Sequence, residues 1–406
     1  MLNDPSNLDV AFEYAMLSAQ VGDYEAAIST LERMLVYAPN LPRIQLELGV
    51  LYYRIGAVEE ARAYLEAARR SSGVPPEVTE RVDTFLAEVD AQSNPLSISG
   101  SVHGGLRFQS NANASPEESI INVNGIPIRL DSNARSQADV NLFALADVHF
   151  IYDLKNQNDT IEANIVTYNS VYADLDRLNL QLIEAQLGPS FGLGRFGLDR
   201  ARVGVYGIAG ATVLGPSVYS TQYGVGSVLQ TGLWEGALFD SRNEFRVLNY
   251  QDSNNYPTVR LQTGEEFSTV NTVTASLHPQ FLLQVQGYGR FTWARTDFNT
   301  YAEGGGSARG TYFFYGPSGG ILTDEAPWTV SLAAGALYRG FDGPDPLIDP
   351  TESEEDTAYW VEAGLSAPLE RGFAAFVTGQ VRNQDSNYAT RDYLNGIVTL
   401  GISKRF

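Results

Sequence analysis

Cysteine is absent from all 406 residues. Without a thiol the chain can form no disulfide, zinc ribbon, iron–sulfur cluster or cysteine nucleophile. Lysine is nearly absent as well: Lys155 and Lys404 stand alone, and the other 25 of 27 basic side chains are Arg. Against 48 carboxylates the formal net charge is −21. That argues against nucleic acid as a partner, because phosphate backbones are held by clustered Lys and Arg. No apolar run approaches the roughly 18 residues of a membrane helix. No basic-then-apolar leader precedes Asn3-Asp4-Pro5, so the chain reads as a mature or trimmed form. Glycine is plentiful, with 38 residues, and so are aromatics, with 22 Tyr and 19 Phe. The length suits roughly two domains or one large barrel.

Up to about Asn94 the apolar residues recur at helical spacing. Aligning Gly22 with Gly56 brings Tyr14 onto Leu48, Ala15 onto Gly49, Ala27 onto Ala61 and Leu31 onto Leu65. The period is therefore 34 residues, a helical hairpin in which small residues let two helices approach and glycine makes the turn. The segment resembles the tetratricopeptide repeat family, with repeats at 8–41 and 42–75 and a capping helix at 76–89. The resemblance implies a concave face lined by Asp9, Phe12, Met16 and Gln20, then by Arg43, Leu46, Val50, Tyr53 and Arg54. Two readings stand open: this face binds a client protein or chaperone, or the repeats only pack. The 15 carboxylates against 7 Arg in this segment favour a basic or apolar partner.

From Pro95 the period falls to two. Leu96, Ile98, Val102, Leu106 and Phe108 alternate with Ser97, Ser99, Ser101, His103 and Arg107, and similar runs surround Val140–Tyr152 and Trp328–Tyr338. These runs last longer than the usual strand of about 5–6 residues, with aromatics at the ends of the apolar face, as in outer-membrane barrels. Counting centres gives about 14 strands over 95–406, with connections alternating long and short. The expected fold is α + β and multidomain: a helical repeat domain over 1–94, then a transmembrane antiparallel β-barrel over 95–406. Leu394, Gly396, Val398, Leu400 and Ile402 share one face that ends on Phe406. This resembles the terminal strand read by the barrel assembly machinery, with Leu400, Ile402 and Phe406 as its signal; Lys404 departs from the usual apolar residue.

Signs of catalysis are sparse, and neither an enzyme nor a cofactor is expected. Gly316-Pro317-Ser318-Gly319-Gly320 matches the hydrolase string G-x-S-x-G, but it sits in a Gly/Pro-rich connection where a strand–turn–helix elbow is required. The three histidines, His103, His149 and His278, are far apart with no i, i+4 spacing for a metal. The connection 342–356 carries seven carboxylates without the spacing of a calcium loop. Charges on the faces assigned inward are more informative: Arg107, Asp147, His149, Asp240, Arg242, Glu244, Arg246, Arg290, Arg309, Arg339, Glu362 and Arg382. They fit either a salt-bridge lattice that stiffens the wall or a charged lining that guides cargo.

Repeats joined directly to a barrel, with Asn111 and Asn113 in an Asn-x-Asn after the first strand, resemble the surface lipoprotein assembly modulators, the type XI secretion translocons. The resemblance implies an outer-membrane channel that exports lipoproteins or soluble proteins. Its helical domain would sit in the periplasm and receive client or chaperone, and outer-membrane lipids would surround the barrel. Exopolysaccharide export porins also join such repeats to barrels, though with longer arrays and more strands. A general porin or structural protein with a partner-binding helical domain is the third reading.

Overall fold

A computed structural model of the chain describes residues 8–71, 74–156 and 158–406. The chain divides into two units, Met1–Pro95 and Leu96–Phe406. The first holds α1 (Leu8–Gln20), α2 (Tyr24–Tyr37), α3 (Pro42–Arg54), α4 (Val58–Arg70) and α5 (Pro76–Ser93). Gly22 and Gly56 turn each hairpin at φ +86° and +80°, a left-handed conformation that a Cβ disfavours. Asp23 caps α2, its carboxylate accepting from Ala26 N at 3.1 Å. Two cores result. Ala15, Ala27, Leu31 and Leu48 lie in the first, while Leu46, Val50, Leu65, Val82 and Val89 lie in the second. Tyr52 and Tyr64 stack at 5.4 Å and both hydroxyls donate to Glu32.

Gly49 sets how close α3 and α4 come: a Cβ there would lie 2.6 Å from Leu65 Cγ. Gly49→Val is therefore expected to destabilise the helical unit by about 1–3 kcal/mol through overpacking, measured by thermal denaturation followed by circular dichroism.

The second unit is a closed barrel. Its strands begin with β1 (Leu96–Gln109); a small hairpin, β2 (Ile120–Val123) and β3 (Ile126–Arg129), interrupts the first connection. Then come β4 (Asp139–Asp153), β5 (Thr160–Tyr172), β6 (Leu180–Gly192), β7 (Ala201–Leu214), β8 (Ser217–Trp234) and β9 (Ala237–Tyr250). The wall continues with β10 (Gly264–His278), β11 (Phe281–Ala294), β12 (Tyr301–Phe314) and β13 (Trp328–Phe341). It ends with β14 (Glu355–Pro368), β15 (Phe373–Ser386) and β16 (Tyr393–Arg405). Without the hairpin there are 14 strands, all antiparallel neighbours, and β16 pairs back onto β1. An even number brings both ends of the barrel chain to one rim, here the terminal end; the opposite rim is the loop end.

Alternation decides the two faces of the wall. Leu106, Leu142, Ile183, Leu187, Val225, Leu332 and Val361 are each more than half exposed and share one face by register. Exposed aromatics flank this belt on both rims. Phe108, Tyr223, Trp293 and Tyr338 lie toward the loop end, and Tyr152, Trp234, Tyr312 and Phe373 toward the terminal end. An apolar band between aromatic girdles is the outer surface of a transmembrane barrel. Fourteen residues at about 3.4 Å each, tilted by about 40°, span the roughly 30 Å hydrocarbon core.

Connection lengths depart from the expected alternation most strongly in two places. The loop-end link between β7 and β8 is only Gly215-Pro216, whereas the terminal-end link between β12 and β13 runs over 315–327. That longer link, which contains the G-x-S-x-G string, is pinned to the neighbouring turn. Glu370 N donates to Ile321 O at 3.0 Å and Thr323 N to Pro368 O at 3.3 Å. α5 extends to Ser93, four residues beyond the expected cap. Gln157, in the expected short turn at 155–159, lies outside the described residues.

Candidate functional site

The face opposite the apolar belt lines the lumen, and its charges gather into clusters. One of them spans four strands. Arg246 on β9 donates to Glu184 on β6 at 2.5 and 3.1 Å, and to Glu244 at 2.7 Å. Tyr206 on β7 donates to the other oxygen of Glu244 at 2.8 Å, and Gln222 on β8 donates to Glu184 at 2.6 Å. Glycines make room: Gly210, Gly224 and Gly226 occupy inward positions between these groups. A Cβ at Gly226 would meet the Tyr206 ring, and one at Gly210 would meet Gln222.

A second cluster lies toward the terminal end. Arg202 donates to Glu162 at 2.8 Å and Thr160 at 2.7 Å, and His149 Nε2 lies 3.4 Å from Glu162. Arg202, Glu162 and His149 border a cavity of about 340 Å³ together with Asp147 and Arg242. Among the described residues Arg242 makes no ion pair. Asp240 accepts from Gln230 at 2.9 Å.

Further round the wall, Arg309 on β12 reaches Glu362 on β14 at 2.8 Å, and Gln380 donates to the same carboxylate at 3.2 Å. Arg107 donates to Tyr168 at 3.1 Å with its guanidinium 4.9 Å from the Phe143 ring. Arg382 opposes Trp360 in register, facing inward without an ion pair among the described residues. The sequence reading had missed Glu162, Glu184, Arg202, Glu266 and Glu303. All but Glu266, which follows the outward Glu265, alternate with outward apolar or small residues, and that alternation is the signal the sequence offers.

The loop end carries the third cluster. Arg339 pairs with Glu303 and lies 3.8 Å from Asp356. Arg290 is held 3.6 Å from Glu266 and 3.9 Å from Glu303. Arg391 sits 3.6 Å from Glu354, and Glu266, Arg339, Glu354, Asp356 and Arg391 line a cavity of about 270 Å³ that also meets Tyr250, Tyr301 and Phe341. Glu354 is 7% exposed. Burial pushes its carboxyl up to about 7, Arg391 pulling against that shift and Asp356 adding to it. The folded state thus binds this proton more tightly than the unfolded one. The resulting stabilisation is full below pH 4.5, the ordinary value, and is lost as pH rises through about 7. Protease resistance of the connection 342–354 should therefore fall between pH 5 and 8, and Glu354→Gln should flatten that dependence.

Among the described residues no group of three or more His, Asp or Glu is arranged to hold a metal ion. At the seam, Phe406 exchanges backbone hydrogen bonds with Gly100 at 2.9 and 3.1 Å. Leu400 pairs with Leu106 and Ile402 with Gly104, their side chains outward. Lys404 also faces outward, its ammonium 4.7 Å from the Phe373 ring, where a long stem lets the charge reach the interface.

In the helical unit the expected concave face is only partly open. Asp9, Gln20, Arg43 and Arg54 are exposed, while Phe12 and Met16 are half-buried against the first core. Arg43 lies 5.2 Å over the Phe12 ring. Leu46 and Val50 are instead enclosed in the second core. α5 packs over that part of α3, with Phe85 6.2 Å from Tyr53. A capping helix that covers the second repeat removes both residues from any binding face. A different apolar stripe is open: Tyr14, Leu17 and Val21, at helical spacing along and just beyond α1, are 45%, 61% and 75% exposed.

The tetratricopeptide repeat family model matches residues 4–78. No curated protein matches the chain. Among solved structures, a bacterial polysaccharide outer-membrane secretin is 8% identical, covering 76% of this chain and 98% of its own at a TM-score of 0.38. The outer-membrane channel DcaP of Acinetobacter baumannii is 10% identical, with 77% and 97% covered and a TM-score of 0.40. An outer-membrane channel from Pseudomonas putida F1 is 11% identical, with 76% and 96% covered and a TM-score of 0.38. The chain thus joins an N-terminal tetratricopeptide repeat segment to a closed β-barrel of 14 strands that is built to sit in an outer membrane.

Proposed function

We propose that the protein is an outer-membrane conduit that exports lipoproteins or soluble proteins to the cell surface, its helical unit receiving client or chaperone in the periplasm. The observation that carries this reading is the exposed apolar stripe of Tyr14, Leu17 and Val21 on a repeat unit fused directly to a barrel. A solvent-facing apolar row suits burial against another protein, and a bare ion offers it nothing to bury. The arginines and carboxylates of the lumenal wall are mostly paired and present both signs to a passing polypeptide. The periplasm holds no nucleotide supply, so the step is driven by client folding or capture outside.

One observation favours export of polysaccharide: the loop-end cavity sets Tyr250, Tyr301 and Phe341 beside carboxylates, a composition that suits sugar rings. Deleting the gene and comparing surface-shaved proteins with surface polysaccharide separates the two readings. Loss of a particular surface protein with polysaccharide intact supports protein export. Loss of polysaccharide with the surface proteins unchanged supports the alternative, and no change in either leaves a general porin.

A further inference from the structure

The outer wall breaks its apolar pattern most widely across five neighbouring strands; a smaller break, at Thr167, Asn169 and Gln181, lies on β5 and β6. Across β8 to β12, register aligns Ser227, Asn243, Thr269, Gly289 and Gly304 in one lateral row. The adjacent row is Leu229, Ser241, Asn271, Gly287 and Gly306. All ten positions share the outward parity, since Phe245, Val285 and Phe291 lie two residues along the same faces and are exposed. They sit at mid-height of their strands, where other strands present Leu142, Leu187 or Val361. Hydrocarbon offers amides no hydrogen-bond partner. Asn243 donates only to Ser241 at 3.5 Å, and Asn271 only to Thr269 at 3.1 Å. Neither amide oxygen accepts a hydrogen bond among the described residues.

We propose that this face is the interface of a homodimer, in which the amide and hydroxyl rows of two copies meet across a two-fold axis along the membrane normal. Three features select a second copy. Amides and hydroxyls both donate and accept, so the uncharged patch is complementary to itself. The four glycines at its edge let two walls approach closely, as small residues do in membrane interfaces. The flanks also differ in shape, one recessed and one protruding. On one side a cleft of about 540 Å³ lies between Leu187, Val205, Val225 and Phe245, floored by Gly207. On the other, Phe291 and Trp293 stack at 6.3 Å and stand exposed. Val225, Phe245, Phe267 and Phe291 share one register row, so the cleft and the aromatic pair border the patch on opposite sides. Five strands at about 4.8 Å and a band about 25 Å tall offer roughly 600 Å² per protomer, close to the ~800 Å² per partner of a stable interface.

The cysteine-free chain permits a clean test. Single variants Thr269→Cys, in the patch, and Leu142→Cys, on the far wall, are expressed as full chains in native outer membranes and treated with a short bifunctional thiol reagent. The expected result is a species of twice the chain mass from Thr269→Cys and none from Leu142→Cys. Adding Asn243→Leu and Asn271→Leu to Thr269→Cys should cut that species at least tenfold while the barrel keeps its folded migration on unheated gels. Equal crosslinking from both sites, or none from Thr269→Cys, overturns the proposal. So does a crosslinked species of any other mass, which would assign the face to a different protein.

Discussion

Arg246→Met should destabilise the barrel by about 3–5 kcal/mol, the cost of removing one partner from a buried ion pair. Arg246, Glu184 and Glu244 have side chains only 10–14% exposed, and the guanidinium satisfies both carboxylates at once. Its loss leaves two like charges facing each other over a glycine-lined wall, with only the neutral groups of Tyr206, Gln222 and Gln186 still donating to them. Neutralising those carboxylates as well, with Glu184→Gln and Glu244→Gln, should recover most of the loss, because well-matched neutral groups replace buried pairs at little net cost. Denaturant unfolding in micelles, followed by tryptophan fluorescence, measures both variants. A loss well under 1 kcal/mol in the single variant would show that the triad is solvated like a surface pair.

The second large effect belongs to the helical unit. Leu17→Asp with Val21→Asp should lower partner capture by tenfold or more, since a few buried apolar anchors dominate interface energy. Both side chains are exposed in the unit itself, so its melting temperature should shift by no more than a surface substitution does. Pull-down yield and thermal denaturation of the same preparation separate the two quantities. A matched fall in both would mean the stripe supports the fold.

Much of this architecture is legible in the residues alone, because it rests on local periods. The 34-residue offset between Gly22 and Gly56 needs only helix geometry, and the alternation around Leu106 and Leu142 needs only the pleat. Fourteen strand centres follow from the same alternation. What periodicity cannot supply is which inward charges meet. Arg246 and Glu184 lie 62 residues apart and on strands separated by two others, so their pairing depends on the curvature and stagger of the closed wall. Leu46 and Val50 were misplaced for a related reason: their burial comes from α5, a helix whose docking no repeat pattern specifies. The two strongest exceptions to the loop-length rule, at 215–216 and 315–327, reflect contacts between neighbouring turns at the same rim. The polar rows on β8 to β12, by contrast, were readable as a break in alternation at Ser241, Asn243, Thr269 and Asn271. A pattern searched for what it confirms passes over such a break.

The measurement that bears most directly on protein export is affinity capture from detergent-solubilised outer membranes, comparing the intact chain with one lacking residues 1–95 and identifying the co-purified molecules. The expected result is a lipoprotein or secreted protein that accompanies the intact chain and disappears with the deletion, while the barrel still migrates as folded. Recovery of polysaccharide-synthesis components, or the same protein recovered equally with and without the helical unit, would contradict it.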